Sequence, residues 1–97
     1  MDYQLVDDVA NKRYVFELGD VYPRIEYIKT PTRIVLTHTE VPPEHEGKGI
    51  ASALVRAVLE AVDRSGLTLV PLCPFVAMYI KKHPEWKRLV LKGINIE

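Results

Sequence analysis

The chain has 97 residues, of which 47% are hydrophobic and 27% charged, and its 13 basic residues are balanced by 13 acidic ones. This length suits one domain, which we expect over residues 1–97. The charge balance provides no excess positive field for a polyanionic partner, so we expect neither nucleic-acid nor membrane binding.

The compartment is predicted from the cysteine and from the apolar runs. Cys73 is the single cysteine, so no internal disulfide can form, and the first residues lack the apolar core of a signal peptide. Charged residues interrupt every apolar stretch well before the roughly 20 residues that cross a bilayer. We therefore expect a cytoplasmic protein. We also expect it to be a monomer or a weak dimer.

The first forty residues are predicted to form four strands, at residues 3–6, 13–18, 21–29 and 33–41. Short turn sequences separate these strands, which predicts an antiparallel meander; the turns are Asn11-Lys12, Gly19-Asp20 and Thr30-Pro31-Thr32. Strict alternation in the fourth strand predicts two sets of side chains, one on each face of the sheet. The sets are Ile34, Leu36, His38 and Glu40, and Val35, Thr37, Thr39 and Val41.

The period changes to a helical one at Ile50, and Gly66 is expected to end this helix. The predicted apolar stripe comprises Ile50, Leu54, Val55, Val58, Leu59 and Val62. A buried strand at 67–72 should then run parallel to the fourth strand, as strand–helix–strand crossovers normally do. Pro74 opens a second helix, and residues 89–91 could add a last strand. The predicted fold is α+β, with helices packed on one sheet.

The turn before the first helix carries the strongest functional signal. Gly47 and Gly49 stand two residues apart at a helix start, where backbone N–H groups and the helix dipole favour an anion such as a pyrophosphate. Ala51 leaves room for phosphates, and Lys48 could add a charge-assisted contact. A glycine-containing connection that binds nothing is the alternative. The spacing fits neither the nucleotide P-loop nor the dinucleotide fingerprint.

The segment Glu46-Gly47-Lys48-Gly49-Ile50-Ala51 resembles the pyrophosphate loop Gln/Arg-x-x-Gly-x-Gly/Ala of the GNAT superfamily of N-acetyltransferases. Glu46 departs from that pattern, but the backbone contacts need no side chain. Residues 38–41, 73–80 and 83–86 resemble further segments of a compact GNAT-like subfamily. The resemblance implies a minimal GNAT-like fold that binds acetyl-CoA, with the pyrophosphate on residues 46–51 and the pantetheine arm near Val41.

Four side chains are candidates for the chemistry. Cys73 lies at the start of the second helix, which favours a thiolate, and the resemblance places it where GNAT folds hold the acyl thioester. It could accept the acetyl group, line the site, or be inert packing. His38 could deprotonate the thiol or an amine, and Glu40 could act as a base or orient the amine; both could also be ordinary strand residues. The resemblance gives Tyr79 the role of proton donor to the departing CoA thiolate, with core packing as the alternative.

The predicted function is transfer of acetyl from acetyl-CoA to a small amine or a lysine, either directly or through a Cys73 thioester. No pair of residues has zinc-ligand spacing, so we expect no metal. The alternative is a non-catalytic sensor or carrier of acetyl-CoA, because the chain has no room for elements that shape the acceptor site in larger GNAT enzymes. A third hypothesis, an adaptor, rests only on the region of Trp86.

Overall fold

A computed structural model describes residues 3–18, 22–43, 49–94 and 96. Five strands and two α-helices follow one another along the chain: β1 Leu5–Asp8, β2 Arg13–Phe16, β3 Arg24–Lys29, β4 Arg33–Glu40, α1 Ile50–Ser65, β5 Thr68–Pro71 and α2 Pro74–Lys82. Two short 3-10 helices, Val9–Asn11 and Pro84–Leu89, complete the described elements.

The five strands form one sheet in the order β1-β2-β3-β4-β5. The first four pair antiparallel, which confirms the predicted meander, and β4 pairs parallel with β5, which confirms the predicted crossover. The connection from β4 to β5 runs through α1, because parallel neighbours need a long connection whereas antiparallel neighbours can be joined by a tight turn. The predicted α+β fold class is therefore correct.

The core lies between one face of the sheet, here called the inner face, and the two α-helices. Every residue of the apolar stripe predicted for α1 is buried; these are Ile50, Leu54, Val55, Val58, Leu59 and Val62. The inner face supplies Tyr14, Phe16, Ile25, Tyr27, Ile34, Leu36 and Leu69, and α2 supplies Val76 and Ile80. Burial of this apolar surface is the main favourable term in the folding of the chain.

The opposite face of the sheet, here called the outer face, carries charged side chains. Pairing across the strands assigns six of them to it: Asp8, Arg13, Arg24, Glu26, His38 and Glu40. The two described α-helices contribute their buried residues to the core on the inner face. The outer face therefore keeps polar groups next to solvent, as one face of an antiparallel sheet commonly does.

Several predicted boundaries need correction. The chain turns between β1 and β2 as expected, but a 3-10 helix precedes Lys12, whose left-handed backbone (φ 54°) completes the connection. The predicted Gly19-Asp20 turn lies outside the described residues. The expected strand at 89–91 is reduced to a single parallel bridge between Val90 and Leu69. The prediction of a strand at 89–91 is therefore wrong, because a 3-10 helix occupies the chain up to Leu89.

Neither described α-helix is long and apolar enough to cross a membrane. The longer of the two is α1 with 16 residues, and it carries charged residues along its exposed side. Its amphipathic pattern is explained by packing on the sheet.

Candidate functional site

The first turn of α1 leaves backbone N–H groups without partners inside the helix. Its first intrahelical hydrogen bond joins the Ala53 N–H to the Gly49 carbonyl oxygen at 3.0 Å, so the N–H groups of the three residues before Ala53 have no carbonyl partner within the helix. The first turn contains no acidic residue. N–H groups without a helical partner and the positive end of the helix dipole together favour an anionic ligand at this point.

Gly49 begins this helix in the left-handed conformation, with φ 75° and ψ 4°. Such a backbone suits glycine, because a side chain on an L-residue would clash with its own backbone there. Ile50 contributes only its backbone to any ligand, since its side chain is buried in the core, and Ala51 and Val41 are half-buried. The predicted contacts from Glu46, Gly47 and Lys48 fall outside the described residues.

The pairing between β4 and β5 ends before β4 does, and the region beyond the last pair, with Thr37–Glu40 on one side and Leu72–Cys73 on the other, is here called the gap. Their pairing ends at Leu36 and Pro71, although β4 continues to Glu40. The last backbone hydrogen bond between the two segments, among the described residues, is donated by the Cys73 N–H to the Leu36 carbonyl oxygen at 2.9 Å. Beyond that bond, the chain after β5 turns into α2. The rest of β4, up to Glu40, is paired with β3 on one side and has no β5 neighbour on the other. The gap therefore has Cys73 on one side and the end of β4 on the other.

A β-bulge interrupts the alternation of β4. Tyr27 pairs with Leu36 but Glu26 pairs with His38, so Thr37 is an extra residue on β4. The Thr37 hydroxyl donates to the Glu26 carbonyl oxygen at 3.2 Å. The prediction that Leu36 and His38 share a face is therefore wrong, because Leu36 is buried on the inner face and His38 lies on the outer face.

The bulge brings Thr39 to the inner face, where it pairs with the buried Ile25. Its Oγ1 atom lies 3.1 Å from the Sγ atom of Cys73. Cys73 is only 3% exposed, and it precedes α2, whose first turn contains no acidic residue. The thiol therefore lies next to a hydroxyl group and immediately before the first turn of α2.

His38 and Glu40 form a charged group on the outer face. The His38 Nε2 atom lies 3.4 Å from Glu40 Oε1, and Arg24 donates to Glu40 at 2.9 Å and to Glu26 at 3.1 Å. The hydrogen bond from His38, together with the charge of Arg24, lowers the pKa of Glu40. Glu40 is therefore a carboxylate at neutral pH, and it can orient the imidazole of His38.

The two predicted partners His38 and Cys73 are not in contact. His38 is held by Glu40 on the outer face, whereas the sulfur contacts Thr39 on the inner face. Tyr79 lies on α2 with its ring against His83, the centroids 4.3 Å apart, and burial raises the pKa of its hydroxyl. The Tyr79 hydroxyl therefore stays protonated at neutral pH.

Sequence reasoning missed two residues of the site, Thr39 and Arg24. Thr39 had been expected on the face away from Leu36, and only the bulge reverses this. Arg24 lies on a strand with no motif around it, and its link to Glu40 depends on the register of β3 against β4. A basic residue opposite an acidic one would have been a signal only once that register was known.

The chain is similar in sequence to known proteins. A family model described as GCN5-related N-acetyl-transferase matches residues 13–89, a range that includes the helix start, the gap and Cys73. The chain is 42% identical to Protein NATD1 of Homo sapiens over 80 residues, covering 79% of this chain and 71% of that protein. It is 32% identical to Protein NATD1 of Gallus gallus over 84 residues, covering 84% and 76% respectively. Protein NATD1 of Bos taurus is 40% identical over 80 residues.

Proposed function

The chain belongs to the GCN5-related N-acetyltransferase family, and from this membership we propose that it binds acetyl-CoA and transfers the acetyl group to an amine, either a small molecule or a lysine side chain. The observation that carries the proposal is the early end of the β4–β5 pairing, where the Cys73 thiol lies against Thr39 of β4, together with a first turn of α1 that contains no acidic residue.

The proposed binding mode uses mainly backbone groups. The pyrophosphate would accept hydrogen bonds from N–H groups at the start of α1, where Gly49 has no side chain to obstruct it. The pantetheine arm would follow the part of β4 that has no β5 neighbour, from Thr37 towards Val41. Lys48 would add a charge-assisted contact to a phosphate. The thioester would then lie close to Cys73.

The outer-face residues suit handling of the acceptor amine. Glu40 has a lowered pKa, so it is a weak base and would attract and orient the ammonium form of the acceptor. His38, held by Glu40, would take the proton that the amine loses as its nitrogen attacks the thioester carbon. The CoA thiolate that leaves requires a proton, and Tyr79 is the proposed donor.

Cys73 permits a second route in two steps. The thiolate of Cys73 would attack the thioester carbon, CoA would leave as its thiol, and the acetyl group would remain as a thioester on Cys73. The acceptor amine would then attack that thioester and release Cys73. A carrier or sensor without turnover is the competing function, and the observation that favours it is the burial of Cys73, whose side chain has no contact with His38.

Binding is tested by the melting temperature, because a ligand that binds only the folded chain stabilises it by an amount set by its concentration relative to Kd. We expect acetyl-CoA to raise the melting temperature, and ATP or NAD at the same concentration to raise it less. Equal shifts from all three would mean a general anion site.

Transfer is tested by the intact mass of the protein after incubation with acetyl-CoA. A stable acetyl adduct that disappears in Cys73→Ser supports the two-step route. Acetylation of an added amine without such an adduct supports direct transfer. Binding with neither an adduct nor an acetylated amine supports the carrier or sensor.

A further inference from the structure

The contact between Thr39 and Cys73 joins two elements that are distant in sequence. Thr39 Oγ1 lies 3.1 Å from Cys73 Sγ, a short separation for a hydrogen bond that involves sulfur. The backbone of Cys73 is fixed from both sides, since its N–H donates to Leu36 at 2.9 Å and its carbonyl oxygen accepts from Ala77 at 3.0 Å. The sulfur is thus held in one place by its backbone and by the Thr39 hydroxyl.

Cys73 belongs to the hydrophobic core of the described residues. Ile25, the residue that pairs with Thr39, is fully buried. Val76, in the first turn of α2 after Cys73, is also fully buried. A thiolate in such surroundings loses most of its hydration, which disfavours the charged form unless a donor replaces the lost water. The Thr39 hydroxyl is the one side-chain hydrogen-bonding group that the described part of the chain places on this sulfur, and it can donate to a thiolate.

We propose that Thr39 is a positioning residue for the Cys73 sulfur: its hydroxyl donates a hydrogen bond to the thiolate and keeps the sulfur turned towards the gap between β4 and β5. This inference rests on the proposed function, and it assigns to Thr39 the task that the sequence had given to His38. The thiol proton passes to solvent, after which the hydroxyl is free to donate to sulfur.

The bulge at Thr37 is what makes this assignment possible. Without the extra residue, regular alternation would place Thr39 on the outer face and His38 on the inner face, next to the thiol. With it, the neutral hydroxyl reaches the sulfur and the imidazole faces solvent. The Cys73 thiol therefore contacts the inner face of β4, whereas His38 and Glu40 lie on its outer face.

The test uses two substitutions at Thr39 and one control. Thr39→Val keeps the β-branched shape and removes the hydroxyl, whereas Thr39→Ser keeps the hydroxyl. Thr68→Val is the control, because Thr68 is a half-buried threonine at the other end of the β4–β5 pairing. The readout is thiolate absorbance in the ultraviolet as a function of pH. The chain has one cysteine, so the thiolate signal has a single source once the tyrosines are subtracted with a Cys73→Ser blank.

We expect Thr39→Val to move the titration midpoint up by about one to two pH units, the shift that loss of one hydrogen bond to a charged group produces. Thr39→Ser should restore most of that shift, and Thr68→Val should leave the midpoint at the value of the parent. The rate of alkylation by iodoacetamide near neutral pH should fall by about tenfold or more in Thr39→Val. Circular dichroism melting checks that each variant is folded.

A midpoint that is the same in Thr39→Val and in the parent overturns the inference, whether or not the protein turns over acetyl-CoA. Conversely, a shift in the midpoint of a protein that does not bind acetyl-CoA supports the role of Thr39 and removes the proposed function. If Thr39→Ser raises the midpoint as far as Thr39→Val does, a hydroxyl at position 39 is not sufficient to hold the thiolate, and the inference is overturned as well.

Discussion

Gly49 and Gly66 offer a matched pair of substitutions at the two ends of α1. Both have φ 75°, with ψ 4° at Gly49 and ψ 5° at Gly66. Among the described residues, nothing lies within 4 Å of the position that a Cβ atom would take at either glycine. The cost of a side chain is therefore set by the backbone conformation at both ends, and it should be nearly equal.

The size of that cost follows from the left-handed backbone. An L-residue in this conformation costs about 1–2 kcal/mol, and the β-branched valine lies towards the upper end. A loss of this size lowers the melting temperature of a chain of this length by roughly 4–8 °C for each kcal/mol. We expect Gly49→Val and Gly66→Val to melt within a few degrees of each other, both below the parent.

Binding of acetyl-CoA should separate the two variants. The valine at position 49 would lie where the phosphates approach the helix start, and loss of one charge-assisted hydrogen bond there reduces affinity by about tenfold to a hundredfold. The valine at position 66 lies about 24 Å away, at the other end of a helix of 16 residues. Isothermal titration with acetyl-CoA gives both affinities. Equal affinities in the two variants would refute the assignment of the phosphate site to the start of α1.

Two further predictions concern the pH dependence of stability. Two hydrogen bonds from Arg88, at 2.9 and 2.7 Å, lower the pKa of Asp63 below its ordinary value of 3.8. Asp63 therefore stabilises the fold at pH values above 3.8, and this stabilisation is lost as the pH falls through the lowered pKa. Asp63→Asn should therefore melt slightly below the parent at pH 7, and this difference should vanish in acid; a constant difference would contradict the reasoning. Burial and the hydrogen bond to Asp7 raise the pKa of Tyr27. The stability that Tyr27 contributes to the fold is therefore present below its ordinary pKa of 10.0 and is lost as the pH rises above that value. Tyr27→Phe should lose less stability than the parent between about pH 9 and pH 11 in denaturant titrations, and equal losses would mean that Tyr27 does not dominate the alkaline transition.

The parts of the fold that sequence predicted well depend on local patterns. The stripe from Ile50 to Val62 identifies α1 because each apolar residue recurs within two turns, and Gly66 ends the helix with the left-handed backbone that glycine favours. The parallel pairing of β4 and β5 followed from the length of the connection between them. These signals need no knowledge of how distant parts of the chain meet.

The ends of strands were predicted less well, because pairing decides where a strand stops. The first strand runs over Leu5–Asp8 rather than over residues 3–6, in register with Arg13–Phe16. The expected strand at 89–91 makes one bridge, through Val90. The 3-10 helix before it is tied to α1 by Arg88, which binds Asp63, and a contact between residues 25 positions apart leaves no local trace in the sequence.

The bulge in β4 explains why the sequence assigned the candidate residues to the wrong faces of the sheet. A period of two assigns every second side chain to one face, and a single extra residue reverses that assignment for all residues after it. Thr37 is such a residue, and no glycine or proline in β4 marks it. The residue types that the sequence singled out are compatible with acetyl transfer, but the bulge divides them between two faces. Under the proposed function, different groups would then act on the acceptor amine and on the sulfur: His38 with Glu40 for the amine, and Thr39 for the sulfur.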